Sequence, residues 1–279
     1  MDEFPPPILH PPRGGLPVIL SIPHSGRDYP ASVLALATQG KACLEPLEDR
    51  LVDRLAWRAL GAGVGAVVQP VARAVVDCNR GEDEVDPASV AGVSPAPVGP
   101  KARYGLGIIP SRTRRHGKLW REPIGRATFE KRLEAIHRPY HQAVERMLDS
   151  VAIEHGGAIL IDLHSMPPHP SGGAEIIVGN RWGTSAGEWL TDRAAAIIRA
   201  QGFSVALNDP YAGGAIVERH GQPEANVHAL QIEIDRRLYL DVDLRSPGPG
   251  FDRMASFVDR LVRELGEYFV ADGLARAAE

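Results

Sequence analysis

Gly156-Gly157-Ala158-Ile159-Leu160-Ile161-Asp162-Leu163-His164-Ser165 decides how this chain is read. Two glycines interrupt what precedes, four apolar residues follow without a break, and a histidine stands just past them. A short apolar run bounded by turn residues marks a buried strand. A strand over 158–162 is therefore expected, ending at His164. The same grammar occurs earlier: Leu16-Pro17-Val18-Ile19-Leu20-Ser21-Ile22 stops at Pro23 and hands His24 to a turn marked by Ser25-Gly26.

Outward from these two runs, strands and helices alternate. Leu47, Leu51, Leu55 and Leu60 recur at helical spacing before the glycine-rich 61–65, predicting a helix over 45–60. Residues 64–76 then read as strand. Residues 127–154 predict an amphipathic helix with a bend at Pro139. Further strands are expected at 174–178, 204–207 and 229–234, with helices at 185–200 and 251–269. Such alternation implies an α/β fold, a three-layer α/β/α sandwich around a central, mostly parallel mixed sheet.

At 279 residues the chain suits one α/β domain, 1–279, opening with a proline-rich lead over 1–15. Residues 81–103, rich in Pro, Gly, Ser and acids, predict a long surface excursion of the kind that often faces substrate. There is no repeat of fixed period, which removes solenoid folds.

Composition excludes several function classes. A hydrophobic share of 44% and a charged share of 24% are those of an ordinary globular protein, so disorder is not expected. The net charge of −4 leaves no nucleic-acid footprint, because the basic residues are scattered apart from Arg112-Thr113-Arg114-Arg115-His116. The start of the chain lacks a basic segment followed by an apolar run, and no stretch reaches transmembrane length, so neither secretion nor a membrane partner is expected. Two cysteines, Cys43 and Cys78, without C-x-x-C spacing argue against a thiolate metal site and fit a reducing cytoplasm.

His24 and His164 stand in matched contexts at strand ends, where open α/β sheets place their ligand sites. Either alone reads most simply as a loop hydrogen bond; together they suggest a shared metal. A catalytic zinc takes three protein ligands and keeps a fourth position for water, so a carboxylate is required. Asp28, Glu48, Asp49 and Asp53 are candidates, and spacing does not choose among them. Acids in the first turn of a helix are also favoured by its dipole alone.

Arg73, Asn79 and Arg80 follow an apolar run and suit bidentate capture of a carboxylate. Glu233 lies inside the apolar alternation 229–234, where an unpartnered charge is costly and a functional role is the simplest reason for it. Asn208, Tyr211, Gly213 and Gly214 form a turn-rich loop whose glycines let backbone amides approach a ligand. Asp162, two residues before His164, is a candidate to orient that imidazole, although alternation could also point it elsewhere. His137 and His141 lie one helical turn apart and are read as packing or capping groups outside the metal site.

In order along the chain, Pro23-His24-Ser25-Gly26, Asp49 with Val52-Asp53-Arg54-Leu55, Asp77-Cys78-Asn79-Arg80, Pro139-Tyr140-His141, Asp162-Leu163-His164-Ser165, the 208–214 loop and Gln231-Ile232-Glu233-Ile234 resemble the N-formylglutamate amidohydrolase family. The resemblance spans residues 16–241. It implies a fold like that of the zinc carboxypeptidases and aspartoacylases. In that pattern His24, Asp49 and His164 would hold one Zn²⁺ or another divalent ion, and Glu233 would be the general base. The aspartoacylase pattern has a liganding Glu three residues after the first His; Arg27 stands there, which turns the carboxylate role to Asp49. A further departure is Leu47-Glu48-Asp49-Arg50, where better-known deformylases carry Thr-Asp-Trp.

The implied reaction is hydrolysis of the formamide bond of N-formyl-L-glutamate or a similar N-formyl amino acid, in the setting of histidine degradation. Arg73 would steady the oxyanion, while Asn79, Arg80 and the 208–214 loop would hold the substrate carboxylates. The alternatives are a related N-acyl amino acid deacylase, a carboxypeptidase-like metallohydrolase, and a non-catalytic binding protein of the same fold.

Overall fold

A computed structural model of the chain describes residues 4–13, 15–93, 99–168 and 172–277. Among the described residues there are nine strands: β1 Ile8–His10, β2 Val18–Ile22, β3 Gly65–Val68, β4 Arg112–Thr113, β5 Gly117–Lys118, β6 Ala158–Met166, β7 Ile176–Gly179, β8 Val205–Leu207 and β9 Val227–Asp235. Seven of them form one sheet in the order β1-β3-β2-β6-β9-β7-β8, while β4 and β5 make a separate two-stranded ribbon. Pairs β2–β6, β6–β9 and β7–β8 are parallel, and β7–β9 is antiparallel. The mixed, mostly parallel sheet is as expected. Its apolar runs are continuous because both faces are covered: β2, β3, β6 and β7 are buried at every residue.

Helices cover both faces. The His228 ring meets Trp189 edge-on at 5.3 Å and Phe269 at 6.0 Å, so that side of β9 faces the helices Glu188–Ala200 and Phe251–Ala277. On the other side, Gln231 Oε1 accepts the backbone N–H of Gly214 at 3.0 Å, just before the helix Ala215–His220. Register sets a polar row on this second side. Ser21 pairs with Asp162 and Asp162 with Gln231; one step on, His164 pairs with Glu233. Paired residues on adjacent strands project to the same face.

The chain divides into two compact units. One comprises Met1–Ile8, Pro23–Glu48 and Val68–Gln142; the other comprises Leu9–Ile22, Asp49–Val67 and Ala143–Glu279 and carries β2, β6, β7, β8 and β9.

Several elements differ from expectation. The helix foreseen over 45–60 is a 3-10 turn at Glu45–Leu47 followed by two short helices, Val52–Leu55 and Trp57–Gly61. The break falls where Glu48 is extended and Leu51 takes φ 63°. The strand foreseen over 64–76 stops at Val68, where Pro70 has no N–H to offer a neighbour and Gln69 Oε1 takes the N–H of Val71. β6 runs through His164 to Met166, so this histidine projects from the strand itself. Pro139 does not end its helix: a π turn at Leu133–His137 precedes it and absorbs the irregularity before Arg138–His155. The excursion 81–103 includes a short helix, Gly99–Arg103, with 94–98 outside the described residues. Among the described residues no helix is long and apolar enough to cross a membrane.

Candidate metal centre

His24 follows the end of β2 by two residues, and its place on the turn depends on Gly26. A Cβ at Gly26 would lie 2.3 Å from the Val71 carbonyl oxygen, so only glycine lets the two backbones approach. His24 Nε2 lies 2.7 Å from Asp77 Oδ1. That oxygen also accepts the Asn79 backbone N–H at 2.8 Å, and Oδ2 accepts from Arg73 Nε at 2.8 Å. Burial alone would raise the Asp77 pKa, but the charges of Arg73, His24 and Arg80 outweigh it and hold the carboxyl well below its usual value. Arg80 donates Nε to the Leu106 carbonyl at 2.8 Å. His137 and His141 donate to the carbonyls of Arg80 and Cys78, each at 2.9 Å, and so secure the 78–80 segment from behind.

On the sheet, His164 has a carboxylate at each ring nitrogen. Nε2 lies 2.7 Å from Asp162 Oδ2, and Nδ1 lies 2.9 Å from Asp49 Oδ2. Ser21 Oγ donates to the other oxygen of Asp162 at 2.7 Å, which settles the direction of that side chain. Burial pulls the His164 pKa down, but Asp162, Asp49 and Glu233 together carry it well above the ordinary value. Asp49 Oδ1 accepts from Arg236 at 3.1 Å. Glu233 stands beside His164 in register and accepts from Gln231 Nε2 at 3.0 Å.

Donor atoms of His24, Asp49 and His164 all lie within 4.8 Å of one another, and the three residues are buried. Of the four carboxylates that spacing left open, the geometry brings in Asp49. Glu48 accepts from the Tyr29 hydroxyl at 2.6 Å, Asp53 sits on the short helix Val52–Leu55, and Asp28 is exposed. The donor set suits a divalent ion: two imidazoles and a carboxylate are the ligands of a catalytic zinc with a position left for water. Each imidazole also places Nε2 against a buried acid, Asp77 or Asp162, so that with an ion bound Nδ1 would be the donor atom. The residues therefore fit a metal ion.

Asn208 takes φ 62° and exchanges hydrogen bonds with Asn180 through its side chain. Ala212 and Gly213 pass over β7 at Gly179, where a Cβ would meet the Ala212 carbonyl carbon at 2.6 Å. The loop bearing Tyr211, Gly213 and Gly214 is thus held close over the polar face of the sheet. Sequence reasoning missed the backing role of Asp77 and the whole of Arg236. Asp77 sat in plain view among arginines; nothing local distinguishes Arg236 from Arg237.

The family model for N-formylglutamate amidohydrolase matches residues 16–240. An N-formylglutamate deformylase of Pseudomonas aeruginosa is 30% identical over the full length of both chains. One from Pseudomonas putida is 29% identical, covering 82% of this chain and 84% of its own. A crystal structure of N-formylglutamate amidohydrolase from Ralstonia eutropha JMP134 superposes with a TM-score of 0.86 at 31% identity, covering 96% of this chain and 99% of that one.

Proposed function

Since the chain belongs to the N-formylglutamate amidohydrolase family, we propose that it hydrolyses the formamide bond of N-formyl-L-glutamate, or of a close N-formyl amino acid, to formate and the free amino acid. The observation that carries this reading is the buried His24, Asp49 and His164 group, with Glu233 in register beside His164. The cofactor in this reading is one Zn²⁺ per chain, held by those three residues. A zinc ion so held would bring the pKa of a water toward neutrality and polarise the formyl carbonyl.

The protein's own groups do the rest. Glu233 accepts the proton of the attacking water and returns it to the leaving nitrogen, a transfer that only a carboxylate at this position can perform twice. Arg73, anchored through Nε on Asp77, offers positive charge to the developing oxyanion. Asn79, Arg80 and the loop with Asn208, Tyr211, Gly213 and Gly214 hold the carboxylates of the amino acid. Asp77 and Asp162 keep the two imidazoles in the tautomer and orientation the site needs. In this reading 1–279 acts as one catalytic domain, and the buried thiols Cys43 and Cys78 suit a reducing cytoplasm.

The test is metal analysis together with formate release from a panel of N-formyl amino acids and their N-acetyl analogues. One zinc per chain and turnover confined to formyl substrates with an acidic side chain are expected. Faster acetyl release would make the protein an N-acyl amino acid deacylase. Absence of both metal and turnover would leave a binding protein of the same fold.

A further inference from the structure

Arg236 begins the 3-10 turn Arg236–Leu238 that closes β9, three residues past Glu233. Its neighbour Arg237 is engaged by Asp235, whose Oδ1 accepts from Arg237 N at 2.9 Å and from Nε at 3.1 Å. The nearest acid is therefore taken up by the outer arginine, and Arg236 turns inward, 9% exposed. Its Nε donates to Ser165 Oγ at 3.1 Å and its terminal nitrogen to Asp49 Oδ1 at 3.1 Å. One planar guanidinium thus bridges the residue after His164 and the carboxylate that pairs with His164 Nδ1.

Resting on the metal-centre reading, we propose that Arg236 is a positioning residue that makes Asp49 a one-oxygen ligand. A carboxylate can chelate a divalent ion with both oxygens. Here Oδ1 is held by a charged N–H donor, while Oδ2 faces His164 Nδ1 at 2.9 Å. With Oδ1 so held, Oδ2 is the oxygen turned to the His164 side that would meet a metal, and the coordination position that chelation would consume would stay available for water or substrate. The fork geometry is essential to the argument. Arginine reaches Ser165 and Asp49 together with fixed angles, which a lysine ammonium cannot reproduce.

The test uses Co²⁺ as the probe metal, in Arg236→Ala, Arg236→Lys and wild-type protein, read by chelator competition and by visible absorption of the bound ion. Wild type is expected to bind one Co²⁺ per chain with the strong absorption of low coordination. Arg236→Ala should bind about 10–100-fold more weakly, with weaker absorption as Asp49 swings to chelate. Arg236→Lys should recover part of the affinity and keep the altered spectrum. Wild-type affinity and spectrum in the folded Ala variant would overturn the proposal; should that variant not fold, an unchanged spectrum in Arg236→Lys would do so. Failure of wild type itself to take up one Co²⁺ would instead sink the metal-centre reading, and this inference with it.

Discussion

Asp162 and His164 are two residues apart on the same strand, and Asp162 Oδ2 lies 2.7 Å from His164 Nε2. A strand projects alternate residues to one face, so the acid and the imidazole share a side of β6 without any help from a loop. Ser21, in register on β2, fixes the other oxygen of the acid. The orientation of one metal-binding candidate is therefore built into the sheet.

Asp162→Ala should weaken zinc binding about 10–100-fold, as loss of an acid behind a liganding histidine commonly does. The measurement is zinc affinity by competition with a chromophoric chelator. An unchanged affinity in a variant that still unfolds cooperatively would show that Asp162 does not set the ligand.

Glu233→Gln should retain one zinc per chain and lose about 10²–10⁴-fold in turnover. Gln fills the same space beside His164 but cannot carry the proton. Wild-type kcat with metal bound would remove Glu233 from the mechanism.

His220 supplies a pH test that is separate from metal binding. It ends the helix Ala215–His220 and is buried, and burial followed by the neighbouring charge of Arg219 lowers its pKa to about 4, against a partial opposing pull from Asp162. With the folded pKa below the unfolded value of 6.5, the unfolded chain takes up the proton first as pH falls. Stability linked to this group is fully present above pH 6.5 and is lost as pH drops toward 4, by on the order of 3 kcal/mol. Denaturant titrations of wild type and His220→Gln at pH 7.5 and pH 4.5 should show the wild type losing more. A gap that does not change with pH would contradict this.

Gly179→Ala tests the loop over the sheet. The added Cβ would stand 2.6–2.8 Å from backbone atoms of Ala212 and Gly213, which cannot rotate away as a side chain could. A loss of about 1–3 kcal/mol in stability is expected from such overpacking. KM should rise with the metal content unchanged. An unaltered KM would detach the 208–214 loop from substrate binding.

The strands, the two histidines and Glu233 were legible in the chain because their signals are local. An unbroken apolar run announces a strand buried on both faces, a histidine just past it stands out, and a lone acid inside such a run needs a reason to be there. The helix expected over 45–60 was misread for the same cause: leucine spacing is also local, and it does not report the positive φ of Leu51 that breaks the segment. That break removes Asp49 from a solvated helix start and buries it. Four acids were therefore equal candidates on spacing, and the chain path separated them.

What the sequence determined by itself was the α/β alternation, the mostly parallel sheet and the pair His24 and His164, since each follows from periodicity and burial within a few residues. Spacing left Asp49 one of four acids and only the family resemblance singled it out; tertiary structure grouped it with His24 and His164, placed Asp77 behind His24 and brought Arg236 to Asp49. These partners lie 115 residues from Asp49 to His164, 53 from His24 to Asp77 and 187 from Asp49 to Arg236. No window on the chain contains such pairs, because a buried acid selects its partner by proximity in the folded core, where an unmatched charge is too costly to leave.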